Sequence, residues 1–96
     1  MSLPKNDQTD ALFRSILELR TAEECYAYFE DLLTIKEVES VAQRLEVARL
    51  LRDGCSYKEA AERTHVSSAT ICRVNRCLEY GTGGYELVLR RMEETK

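Results

Sequence analysis

The sequence predicts an all-α fold of five or six helices, and three observations carry that reading. Leu, Ala, Glu and Arg dominate the 96 residues, while Pro occurs once and Gly four times, a composition that favours helices over strands and turns. Apolar residues recur three and four apart through most of the chain. Cap-forming Ser, Thr and Asp residues, and Gly stops, fall at intervals of one helix length.

A first helix is expected over 10–20, capped by Thr9 or Asp10, with Leu12, Phe13, Ile16, Leu17 and Leu19 as its apolar residues. Thr21 caps a second helix. Glu23 and Glu24 fall in its first turn, where the helix dipole favours negative charge, and Tyr26, Phe29, Leu32 and Leu33 are its apolar residues. These two faces are broad for so short a chain, and a second subunit is their natural cover. Thr34-Ile-Lys-Glu37 has the form of a capping box and opens a long helix to Asp53, with Val38, Val41, Ala42, Leu45, Ala48 and Leu51 at helical spacing. Gly54 suits a helix C-terminus because it takes positive φ freely. Ser56-Tyr-Lys-Glu59 is a second capping box and opens a short helix to about Thr64. Ser67 caps the next helix, which runs to about Tyr80. Gly81-Thr-Gly-Gly84 breaks it, and a last helix spans 85–94 with Leu87, Val88, Leu89 and Met92. The glycine run lacks the preceding strand and Gly-Lys-Ser/Thr ending of a phosphate-binding loop, so it reads as a hinge.

Several function classes are disfavoured. No apolar run is long enough for a membrane span. The polar N-terminus lacks the basic and apolar regions of a secretion signal, so a cytoplasmic protein is expected. Cys25, Cys55, Cys72 and Cys77 are scattered and there is one His, which does not make a zinc site; they read as reduced thiols. Nothing resembles a catalytic triad or metal cluster, so no enzyme and no cofactor is expected. The net charge of −3 conceals an uneven distribution. Residues 1–43 carry four Lys/Arg against nine Asp/Glu, whereas 44–76 carry seven against four. Salt screening confines each charge to about 10 Å, so the local excess of +3 is what a phosphate partner would meet.

Tyr57 to Arg76 meets the demands of a helix-turn-helix in register. Ala61, with Ala60 beside it, is small where a second helix crosses. His65 falls where the turn needs left-handed backbone; His is among the non-Gly residues enriched there. Val66 follows as the turn's apolar residue, and Ile71 and Val74 share the inward face of the second helix. With that helix in a major groove, Ser67, Ser68, Ala69, Cys72 and Arg73 project toward base edges. Thr70 and Asn75 are candidates for phosphate or base contacts. Tyr57 and Lys58 open the first helix, where N–H groups and a cation can meet a phosphate, and Arg63 and Arg76 are further phosphate candidates.

From Leu32 onward the sequence resembles the Trp repressor superfamily, and most closely its TrpR-related YerC/YecD group. The matching residues are Leu32-Leu-Thr-Ile-Lys-Glu37, Gln43-Arg44, Leu50-Leu-Arg-Asp-Gly54, Ser56-Tyr-Lys-Glu59 and Ala69-Thr-Ile-Cys-Arg73, with Tyr80-Gly-Thr-Gly-Gly-Tyr85 similar to the YerC/YecD group in particular. The resemblance implies a single domain over 1–96: dimerisation helices over 10–53, the helix-turn-helix over 56–80 and a C-terminal helix over 85–94, in a six-helix protomer of an intertwined homodimer. It places the family's ligand-contacting residues on Thr34, Arg44 and Arg73. Val74 stands where the repressor has Gly, and Cys77 replaces a small hydroxyl residue. A Val side chain fills volume that an indole needs, and overpacking costs ~1–3 kcal/mol, which argues against tryptophan as corepressor. Thr34, Arg44 and Arg73 then bind another small carboxylate, or serve as a helix cap, an ion-pair member and a DNA contact respectively.

The expected function is therefore a sequence-specific DNA-binding transcriptional regulator, a repressor by preference, acting as a homodimer on double-stranded DNA. The alternative is a helix-turn-helix-derived protein-interaction module that no longer binds DNA, which the overall acidity would suit.

Overall fold

The computed structural model describes residues 2–95. Six helices follow one another: α1 (Asp7–Ile16), α2 (Ala22–Leu32), α3 (Ile35–Arg52), α4 (Tyr57–Thr64), α5 (Ser68–Tyr80) and α6 (Gly84–Glu94). The described residues contain no strand, and no helix is long and apolar enough to cross a membrane. The chain forms two compact units, Met1–Ile35 and Lys36–Lys96.

In the first unit, α1 starts three residues before the expected Asp10. Its cap is Asn6, not Thr9 or Asp10: Asn6 Oδ1 accepts the Thr9 N–H at 2.9 Å and the Thr9 hydroxyl at 3.1 Å, satisfying an N–H that has no partner inside the helix. The helix also ends early. Glu18 and Leu19 donate to the carbonyls of Ser15 and Ile16, both at 3.1 Å, a three-residue spacing that tightens and stops the last turn. Leu19, expected within the helix, lies beyond it. Thr21 caps α2 as expected, accepting the Glu24 N–H at 3.1 Å. Ser15 Oγ and the Tyr28 hydroxyl, 2.6 Å apart, tie α1 to α2. Neither helix contains a buried residue.

The second unit holds the core: Val47, Ala48, Leu50, Ala60, Ile71, Val74 and Leu89. The C-terminal half of α3 supplies three of these, while every residue from Ile35 to Gln43 is exposed. Two residues outside the expected stripe, Val47 and Leu50, are in the core, and three within it, Val38, Val41 and Ala42, are exposed. The reason is that apolar residues lie round most of the α3 circumference, so their spacing does not single out one face. Gly54, at φ 98°, ends the helix. The Gly54 N–H donates to Leu51 O at 3.1 Å and the Cys55 N–H to Leu50 O at 3.0 Å, the paired bonds of a Schellman motif.

The end of α3 is tied to α6. The Arg52 guanidinium meets both Glu86 carboxylate oxygens, Nε to Oε2 at 2.7 Å and Nη2 to Oε1 at 3.0 Å, and also bonds Glu93. Arg52 is thereby held above its ordinary range, and its hydrogen bonds hold the Glu86 carboxyl below the usual carboxylate range.

Candidate nucleic-acid interface

Local sequence sets the pair α4–α5. Ser56 Oγ accepts the Glu59 N–H at 3.1 Å and Glu59 Oε1 accepts the Ser56 N–H at 3.2 Å, the full reciprocal capping box. It fixes the start of α4, so Tyr57 and Lys58 stand exposed in its first turn. Ala60 is the fully buried small residue of α4; Ala61, which the motif favoured, is only half-buried beside the core. The one-residue shift is a matter of which Cβ faces α5; either way a small side chain lets the helices approach.

His65 ends α4 in left-handed conformation, φ 60° and ψ 21°, donating its N–H to Ala61 O at 2.8 Å. It is the sole non-glycine residue with positive φ among those described. Val66 then packs half-buried against the core, and Ser67 caps α5 by accepting the Thr70 N–H at 3.2 Å. Its hydroxyl also lies 3.0 Å from that of Thr70.

Inside α5, Ile71 and Val74 are 1% exposed, and Leu78 packs against the same cluster. Spacings of three and four put these on one face. Burying a side chain such as Ile71 contributes roughly 1.5–3 kcal/mol, so the inner face fixes the helix. Ser68, Ala69, Cys72, Arg73 and Arg76 are exposed, whereas Thr70 and Asn75 are half-buried. Asn75 Nδ2 donates to Glu79 Oε1 at 3.2 Å. Acidic residues occupy the first turn of each other helix but not that of α5. Its N-terminal dipole is therefore not offset by a carboxylate on the helix itself.

The charge pattern is sharper than a residue count suggests. Arg49 pairs with Glu46 and with Asp53, the latter at 3.4 Å, and Arg52 with Glu86 and Glu93. Lys58, Arg63, Arg73 and Arg76 have no carboxylate partner among the described residues. Within the basic 44–76 stretch, these pairs take up Arg49 and Arg52 and leave Arg44 and the four cations of α4 and α5 without a carboxylate partner among the described residues. The partners of Arg52 could not be read from sequence, because Glu86 and Glu93 lie 34 and 41 residues away.

The three residues expected at a ligand site belong one to the first unit and two to the second. Thr34 is exposed and belongs to the first unit; Arg44 of α3 is half-buried and Arg73 of α5 exposed, both in the second. Sequence reasoning missed Tyr85 of α6, which is half-buried against the core. Burial pushes its phenol above the ordinary value, Cys77 adds to the rise, and Arg44 and Arg73 oppose it.

Comparison with known proteins extends this description. The family described as Trp repressor protein matches residues 7–93. The Bacillus subtilis (strain 168) protein YerC is 52% identical over 92 residues, covering 96% of this chain and 88% of its own. The crystal structure of a TrpR-like protein from Eubacterium eligens ATCC 27750 superposes with TM-score 0.90 at 46% identity, over 93% of this chain and 92% of that one. A Staphylococcus aureus protein of solved structure gives TM-score 0.90 at 40% identity, over 93% and 89% of the two chains.

Proposed function

Because the chain belongs to the Trp repressor family, we propose that it is a sequence-specific DNA-binding transcriptional regulator, acting in the cytoplasm as a homodimer that represses by occupying an operator. The observation that carries this reading is α5: its inner face is locked into the core, while its outer face presents short side chains and two arginines without carboxylate partners. In this reading α4 and α5 form a helix-turn-helix with α5 in the major groove. Ser67, Ser68, Ala69, Cys72 and Arg73 approach base edges, and the short side chains permit close contact. Tyr57, Lys58 and Arg76 meet phosphates, joined by Thr70 and Asn75 once their internal bonds are exchanged for contacts to DNA. Arg73 is a DNA contact here rather than a ligand contact, and the reading requires no catalysis.

A homodimer is supported by the apolar surface that the chain leaves uncovered. Phe13, Leu17, Ile35 and Val41 are all exposed, Leu17 at 81% and Ile35 at 76%. Two copies would then read half-sites about 34 Å apart.

The test is selection of bound fragments from genomic DNA, followed by affinity measurement on the enriched sequence. A palindromic site is expected. Arg73→Ala should weaken binding about 5- to 150-fold, the range for losing a specific base contact of roughly 1–3 kcal/mol. Lys58→Ala should weaken all sequences alike and reduce the salt slope by about one. The net charge of −3 favours one other reading, a module that binds protein instead. Unchanged regulation in cells carrying Arg73→Ala with Lys58→Ala would establish that alternative.

A further inference from the structure

The outer face of α5 continues beyond the residues placed on DNA above. Buried Ile71 and Val74 and half-buried Leu78 mark the inner face of the helix. Ala69, Arg73, Arg76 and Tyr80, spaced four, three and four residues apart, form the ridge opposite, and all are exposed. Tyr80, at 83%, is the most exposed large hydrophobic side chain among the described residues.

The last turn is well fixed. Leu78 packs against the core two residues before Tyr80. The Gly81 N–H donates to Cys77 O at 2.9 Å, and a Cβ at Gly81 would collide with that same oxygen, so the chain leaves the helix directly after Tyr80. The ridge is also free of negative charge. Arg73 and Arg76 have no carboxylate partner among the described residues. Glu79, the sole acidic residue of α5, accepts from Asn75 Nδ2 at 3.2 Å.

We propose that Tyr80 is a further DNA contact, its hydroxyl donating to a backbone phosphate at the edge of each half-site. This rests on the reading of α5 as the helix in the major groove. At a rise of about 1.5 Å per residue, Tyr80 stands about 16 Å along the axis from Ala69 and about 6 Å beyond Arg76. A straight rod with its first turn at base edges cannot follow a groove that curves round the duplex. Its last turn therefore meets the sugar–phosphate wall, where tyrosine hydroxyls serve as donors. The two arginines on the same ridge match the charge of that wall, and Tyr80 adds a contact there without adding charge.

The test compares native protein with Tyr80→Phe, Tyr80→Ala and Arg76→Ala on the operator obtained by selection. Tyr80→Phe should bind about fivefold or more weakly, for the loss of one hydrogen bond from each subunit, and Tyr80→Ala at least as weakly. Both should lose about equally on operator and unrelated DNA, because a phosphate carries no base identity. Their salt slope should stay native, whereas Arg76→Ala should reduce it by about one. Ethylation of one phosphate per half-site should hinder the native protein but not Tyr80→Ala. Thermal midpoint and sedimentation mass should match native in both tyrosine variants. Native affinity in Tyr80→Phe would overturn the proposal, as would a loss confined to the operator, a lowered mass, or a fall in midpoint that tracks the affinity. If the native protein binds no DNA, the proposed function falls and takes this contact with it. Native binding with the same ethylation pattern in Tyr80→Ala overturns the contact alone.

Discussion

At His65 the backbone turns from α4 to α5 with φ 60° and ψ 21°, a conformation that costs a residue with a Cβ roughly 1–2 kcal/mol. That position was legible in the sequence, because the register of Ala61, Val66, Ile71 and Val74 leaves it the one place for the turn. His65→Gly should raise unfolding stability by roughly 0.5–1 kcal/mol, the relief of strain less the entropy glycine loses on folding. Urea denaturation gives the answer, and a lower midpoint would mean that the imidazole contributes contacts outweighing the strain. Other residues were less legible. Asn6 caps α1 although Thr9 and Asp10 are equally good cap formers, because residue type alone does not say where a helix gains its first bond. Tyr85 was read only as the end of the Tyr80–Tyr85 stretch, because its half-burial against the core depends on residues distant in sequence.

Among the elements, the junction of α3 with α6 answers to pH. Glu86 is held below the usual carboxylate range chiefly by its hydrogen bonds from Arg52. A carboxyl whose folded value is depressed stabilises the fold above its unfolded value, about 4.3, and loses that contribution as pH falls through the folded value. Thermal unfolding should therefore show native protein more stable than Glu86→Gln near pH 6, with the gap closing as acid protonates the folded carboxyl. A gap unchanged at low pH would show that the carboxylate charge plays no part. Glu86 is half exposed, so high salt should narrow the difference as well. Helix starts were the best-read features of the sequence: Thr21, Ser56 and Ser67 all cap where expected, since capping depends on residues three apart. The α3 core face was misread because that choice depends on what packs against it, and apolar residues surround that helix.

For the whole molecule, the decisive feature is the division of α3. Residues 35–43 are exposed throughout, and the following half enters the core that seats α5. If the exposed half is where two copies meet, Val41→Glu should convert a dimer to a folded monomer at micromolar concentration, because a charge buried without a partner is strongly unfavourable. Sedimentation equilibrium with circular dichroism checks this, and an unchanged mass would place the interface elsewhere. The six helices were legible from composition and punctuation, but the pairing of subunits is a property of surfaces, and sequence reports it only as apolar area left over. If two copies meet there and bind DNA as proposed, the same division would make abundance a signal in its own right. A lone protomer would then offer one weak grip on a duplex, whereas a joined pair would gain the second grip intramolecularly. Operator occupancy would then climb faster than in proportion to the number of molecules a cell contains, and modest changes in synthesis or turnover would switch the target gene without any effector.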